Sequence, residues 1–256
     1  MYQDWLSSIP AWLADSPEWV KSFVYELYKN FVYDDRWKLI VDGLKITFIV
    51  TIGALILGII IGIIIGLIRT THDTLAVNKK PSLVLRIFNK ISVVYLAVIR
   101  GTPMMVQLLI MCFVVMQPSN DSGRIVCGIV TLGINSGAYV AEIARSGIMS
   151  IDKGQTEAGR SLGFSYAQTM IHFIIPQAVK NILPALGNEM ITLLKDTSLV
   201  STIALSDVTK ATQKIISVTY KPIIPYISLA IIYLIIVLVL TKLLNIFERR
   251  LRQSDR

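Results

Sequence analysis

The sequence predicts an all-α membrane protein with about five transmembrane helices, and three observations lead there. The first is composition: 54% of the residues are hydrophobic and 16% are charged, whereas an ordinary soluble domain carries about 25% charged residues. The second is a pair of uncharged runs, 23 residues at 46–68 and 20 at 222–241, each long enough to cross a bilayer as a helix. The third is where the net charge of +8 sits. It falls between the apolar runs, where positive charge marks cytoplasmic loops, so it does not point to nucleic acid.

Taken in order, residues 1–38 read as an outer amphipathic arm preceding a membrane domain at 39–256. The arm lacks the basic start and short apolar core of a cleaved signal peptide. Ser16, Pro17 and Glu18 predict an N-cap, a first-turn proline and an acidic first turn. Trp19, Val20, Phe23, Val24, Leu27, Tyr28 and Phe31 then recur at helical spacing. Such a helix is expected to lie on the outer interface of the bilayer, where Trp and Tyr concentrate. A docking site for an external partner is the other reading of this segment.

The run 46–68 is the first span. Within it Gly58, Gly62 and Gly66 repeat every four residues, a spacing that lets helix backbones approach closely. The repeat fits packing within the chain or a seam between two copies. A second span is expected at 101–120, uncharged but containing Pro103 and Pro118, and a third at 125–141. The fourth, 185–205, is interrupted by Glu189, Lys195 and Asp196. A lipid-facing helix does not tolerate these charges, so this span must face protein or water. The run 222–241 completes the set.

Five spans place the termini on opposite sides. Segments 69–90, 142–184 and 242–256 hold 14 Lys and Arg residues against 8 in the remaining connections. The richer side is cytoplasmic. The C-terminus, with Arg249, Arg250 and Arg252, is therefore expected inside and the N-terminus outside, in a multi-pass protein.

The motifs of several chemistries are missing. No Gly-x-x-x-x-Gly-Lys-Ser/Thr phosphate loop occurs, and no Gly-x-Ser-x-Gly elbow. His72 and His172 have no His or Cys at metal-ligand spacing, and Cys112 and Cys127 both fall in apolar runs. Neither catalysis nor a cofactor nor a metal is expected of this chain.

The segment 146–184 has the composition of neither a span nor a disordered linker. Gln155 to Leu162 predicts a short helix, Gly163 a left-handed residue that ends it, and Ser165 the cap of a second helix. A helix–glycine–helix corner results. Its second arm, residues 166–175, is apolar enough to pack beneath the spans, and Pro176 and Pro184 are expected to punctuate the return to the membrane.

Here the sequence resembles the permease subunits of binding-protein-dependent ABC importers, in the branch that takes up polar amino acids. Their cytoplasmic signature is Glu-Ala-Ala, three residues, Gly, nine residues, Ile, one residue, Leu-Pro. Glu157, Ala158, Gly163 and Pro176 stand in register with it, while Gly159, Phe173 and Ile175 replace the second Ala, the Ile and the Leu. Further matches are Arg100-Gly101-Thr102-Pro103, Val106-Gln107-Leu108, Ala138-Tyr139 with Glu142-Ile143, and Lys195-Asp196-Thr197-Ser198-Leu199. The resemblance runs from about residue 40 to 250; the arm lies outside it.

The resemblance implies the type I importer fold and residence in a prokaryotic inner membrane. It implies as partners a separate ATPase that binds ATP and Mg, an extracytoplasmic binding protein that delivers the amino acid, and a second permease chain, identical or related. Glu157, Ala158, Gly159, Arg160, Ser161, Leu162 and Gly163 would form the coupling helix that docks on the ATPase. Gln107, Asp196, Thr197 and Ser198 would meet the substrate, Asp196 accepting its ammonium group. For Asp196 an internal ion pair, with Arg100 or with Lys195 of a second chain, is the competing reading, since a mid-membrane carboxylate needs a partner. At the level of the whole protein the alternative is an ion- or proton-coupled secondary amino acid transporter, in which Asp196 and Glu189 would carry protons. Such carriers show repeated halves, and no repeat is found here.

Overall fold

The computed structural model describes residues 2–7, 9–78 and 80–253. All its regular elements are helical. The arm folds into α1 (Tyr2–Leu6), α2 (Ala11–Ala14) and α3 (Glu18–Leu27), extended by a π-turn at Tyr28–Val32. The expected cap at Ser16 does not form. Pro17 occupies the N-cap position, and the Ser16 hydroxyl instead donates to the carbonyl of Leu13 at 2.6 Å. The chain then turns sharply through Asp34 and Asp35, both at positive φ. Arg36 steadies this corner: its guanidinium donates to the Lys29 carbonyl at 2.6 Å and lies over the Tyr33 ring. Beside it, the Lys38 ammonium hydrogen-bonds Asp35 and holds that carboxyl below the usual carboxylate range.

The first span is α4 (Trp37–Asn78), 42 residues long. At 1.5 Å per residue it measures about 63 Å, twice the roughly 30 Å of a hydrocarbon core, so it projects well beyond the bilayer. The expected second span differs most from its prediction. The chain forms α5 (Leu83–Gly101) and then α6 (Met104–Ile110) with a π-turn to Met116, and the two halves meet at 105°. Pro103 has no amide hydrogen and pushes Thr102 into an extended conformation, so the helix cannot run through. The sequence shows no uncharged run over α5, because Arg86, Lys90 and Arg100 interrupt it.

The third span, α7 (Asp121–Met149), is longer than the uncharged stretch within it. After the corner comes a rod of α9 (Tyr166–Thr169), a π-turn at Met170–Ile174 and α10 (Ile175–Asp196). Pro176 and Pro184 do not interrupt it. The wide turn just before Pro176 makes room for the ring, and Pro184 is carried inside α10. The helix stops at Asp196, where a 3₁₀ segment, Thr197–Ile203, replaces the rest of the expected fourth span. α11 (Val208–Thr219) and α12 (Ile223–Gln253) complete the chain. By length and composition α4, α7 and α12 are single spans, and the bent α5–α6 pair is a fourth if counted as one. α10, with its charges, is the fifth element of the expected set.

α7 lies against α4 along most of its length. A Cβ on Gly62 would approach the Ala141 nitrogen to 2.9 Å, and one on Gly58 would meet Ser136 at 3.0 Å. From the other side, Gly133 and Gly137 receive Leu57 and Ile61. The glycine repeat is therefore an intrachain seam with small residues on both helices, which resolves the choice against a seam between copies. A core of Val50, Leu108, Cys127, Leu132, Leu193 and Val200 joins α4, α6, α7, α10 and the 3₁₀ segment. The α11 end is fixed by Asp207, fully buried, whose carboxylate accepts from the backbone amides of Thr209 and Lys210.

Candidate functional site

Two regions hold the residues that the sequence singled out. The first is the corner. α8 (Lys153–Ser161) begins at Asp152, whose side chain caps the Gly154 amide at 2.6 Å. It ends before Gly163, which takes φ +88°, the left-handed conformation expected of it. Ser165 and Gln168 then form a reciprocal capping box that starts α9. Phe164 packs edge-on against Phe173 at 5.2 Å. Beneath, Ile148, Ile174 and Ala178 bury together with Leu67 and Ile182, fixing the corner to the ends of α4, α7 and α10.

Gly159 is the buried residue of α8. A Cβ there would stand 2.7 Å from the Thr169 methyl, and Thr169 is itself fully buried, its hydroxyl donating to the Ser165 carbonyl. Glycine at this position lets α8 lie directly on α9. Glu157, Ala158, Arg160, Ser161, Leu162 and Gly163 are left exposed. Leu162, at 74% exposure, projects as an apolar knob beside a Glu and an Arg.

The second region follows α10. Glu189, Thr192 and Asp196 all lie on α10. Glu189 accepts a hydrogen bond from Ser136 of α7 at 2.7 Å. This matters because an unaided carboxylate at mid-membrane costs about 2.5–3.5 kcal/mol. Asp196 is half-buried and has neither a hydrogen bond nor a salt bridge with any described residue. The expected pairing with Arg100 does not occur: Arg100 lies 4.0 Å from Glu142 and over the Tyr139 ring, both on α7. Thr197 is buried and donates to the Leu194 carbonyl at 2.6 Å, while Ser198 is half-buried.

Gln107 is held firmly by the chain itself. Its amide nitrogen donates to the Ile99 carbonyl at 2.7 Å and to the Thr102 hydroxyl at 2.8 Å, and its oxygen accepts from Asn135 of α7 at 3.0 Å. It thereby satisfies the Ile99 carbonyl left open where Pro103 breaks the helix. Sequence reasoning missed Asn135 and Ser136, which anchor Gln107 and Glu189; the only signal was two adjacent polar residues inside an apolar run. Arg100 and the Tyr139–Glu142 pair belong to two motifs of the sequence that the fold brings together. Among the described residues, no group of three or more His, Cys, Asp or Glu side chains is placed to hold a metal ion.

Residues 58–253 match the family described as "Binding-protein-dependent transport system inner membrane component". The chain is 37% identical over 216 residues to the glutamine transport system permease protein GlnP of Escherichia coli (strain K12), covering 84% of this chain and 93% of that one. It is also 37% identical over 217 residues to the arginine transport system permease protein ArtQ of Bacillus subtilis (strain 168), covering 84% and 94%. Its fold matches a chain in the crystal structure of an amino acid ABC transporter with histidines, with a TM-score of 0.73, 42% identity, and coverage of 83% of this chain and 94% of that one. An all-helical membrane core and a match over most of its length lead to one conclusion: the chain belongs to the inner membrane permeases of binding-protein-dependent transport systems.

Proposed function

We propose that this permease imports polar amino acids as one half of a two-chain pore. A separate ATPase holds ATP and Mg, and an external binding protein delivers the substrate. The observation that carries this reading is the corner itself, a rigid helix–Gly163–helix element with Leu162 exposed and Gly159 buried beneath it. Closure of the ATPase pair would push on this corner and rock the rod of α9 and α10, shifting the permease between two states. Relatives named for glutamine and arginine transport support an amino acid as cargo. The excess of basic residues in 69–90, 142–184 and 242–256 supports a cytoplasmic corner and C-terminus and an outer arm.

At the substrate, Asp196 and Ser198 are the groups free to meet an ammonium and a carboxylate. Thr197 and Gln107 have their polar atoms bonded within the chain, so they shape the wall. The test is reconstitution of the purified complex in proteoliposomes with a panel of basic, acidic and amide amino acids. Uptake should require a stoichiometric ATPase and ATP. Asp196→Asn should raise the substrate concentration needed for half-maximal uptake while complex yield and basal ATP hydrolysis persist. Uptake by the lone chain on an ion gradient would defeat the reading. Loss of assembly in Asp196→Asn, with unchanged substrate affinity in what survives, would favour an ion pair with a second chain.

A further inference from the structure

All four tryptophans of the chain, Trp5, Trp12, Trp19 and Trp37, fall in its first 37 residues, ahead of the family match that begins at residue 58. They do not serve one purpose. Trp5 is buried inside the arm, with Tyr25 and Tyr28 at 5.2 and 6.2 Å, and Leu13 is buried there too. The arm thus has a small core of its own, which holds α3 in a fixed direction.

On α3, residues 19, 23 and 26 share one face, and Asn30 lies in the π-turn that continues it. The later half of that face is seated on the bundle: Glu26 lies 3.6 Å from Lys221, and Asn30 is fully buried in the turn that packs on α11. The earlier half is bare, with Trp19 73% and Phe23 53% exposed. The face that docks on the bundle therefore overhangs its edge. Directly past Lys221 begins the exposed apolar flank of α12, with Ile223 at 71% and Tyr226 at 49% exposure. Trp37 and Tyr33 are exposed where the arm joins α4.

We propose that the Trp19–Phe23 overhang of α3 docks on the headgroup–acyl boundary of the bilayer, continuing the lipid-facing surface of α12. The proposal rests on the membrane reading of α4 and α12 and not on the transported substrate. Its chemistry is aromatic burial rather than charge attraction, because residues 1–38 carry six acidic and four basic side chains. Neutral zwitterionic lipid should suffice, and anionic lipid should add nothing. Docking here would hold the loop between α11 and α12 through the Glu26–Lys221 contact.

The test uses the complete complex in nanodiscs of phosphatidylcholine brominated either near the headgroup or near the acyl methyl end. The difference in emission between the unaltered chain and Trp19→Phe isolates Trp19. That component should be quenched by shallow bromine, less by deep bromine, and equally with or without added phosphatidylglycerol. Phe23→Trp in the Trp19→Phe background supplies a second probe that should respond alike. Quenching by aqueous acrylamide with no response to bromine would overturn the proposal in favour of a solvated helix. Protection from both quenchers would overturn it in favour of a protein partner, whether a second permease or the binding protein. Neither outcome depends on whether amino acid uptake is measured.

Discussion

Gly159 illustrates how a single residue carries different meanings in sequence and in space. As a residue in a helix it lowers propensity by about 1 kcal/mol relative to Ala. In the folded corner it removes a methyl that would otherwise lie 2.7 Å from Thr169. Gly159→Ala, although it raises helix propensity, should therefore cost about 1–3 kcal/mol of corner stability through overpacking, read as a lower melting temperature and reduced coupling of ATP hydrolysis to uptake. Adding Thr169→Ser deletes the opposing methyl but keeps the hydroxyl that bonds Ser165, and should recover most of the loss. Additive effects of the two substitutions would refute direct packing between them. Gly163 presents a different constraint, since nothing lies within 4 Å of a Cβ built there. Its cost is backbone conformation, about 1–2 kcal/mol for a residue forced left-handed. Gly163→Val should leave expression intact while uptake and stimulated ATP hydrolysis fall together.

Among the elements, the α4–α7 seam is the scaffold on which both candidate regions depend. α7 supplies Asn135 to Gln107, Ser136 to Glu189, and Tyr139 and Glu142 to Arg100. Ser136 and, along the same helix, Val140, Ala141 and Ala144 also receive Gly58, Gly62 and Gly66 of α4. In a membrane such contact rests on close backbone approach, because lipid tails solvate leucine as well as a neighbouring helix does. Gly62→Leu should separate the pair, lower the yield of folded protein in detergent and cost about 1–3 kcal/mol. The same substitution in a seam between copies would leave the single chain stable and abolish only pairing, so thermal stability and oligomeric state measured together separate the two cases. The bend between α5 and α6 is held by the second device of this kind, a proline that opens the backbone and a glutamine that closes it again.

For the molecule as a whole, the distribution of basic residues bears on orientation. The excess of basic residues predicts that cysteines introduced at Asp121 and Tyr220 react with an impermeant maleimide added outside intact cells, and that one at Gln155 does not. Tyr220, 85% exposed, is a better probe than its neighbour Thr219, which is 5% exposed. Lys79, the other inside position suggested by the charge count, lies outside the described residues. Labelling of Gln155 from outside would invert the topology and remove the corner from the compartment where an ATPase could meet it.

What was legible in the sequence were properties set by neighbours along the chain. Two long apolar runs committed 46–68 and 222–241 to spans because only a helix satisfies its own backbone in lipid. Gly163 and Ser165 wrote the corner, because a left-handed residue and a cap act within one turn of themselves. Four residues at signature spacing were enough to name the family. What only the tertiary structure decided were relations between distant segments. α5 joined α6 in a bent pair although three cations interrupt its apolar run, and Pro103 set between them an angle that no local rule fixes. Arg100 turned to α7 and left Asp196 open, Gln107 was spent on holding a bend, and the glycines of α4 met α7 rather than a second copy. The physical reason is common to all of these: a polar group in an apolar medium takes the nearest partner that three-dimensional packing offers, and sequence spacing determines that partner only when both lie on the same helix.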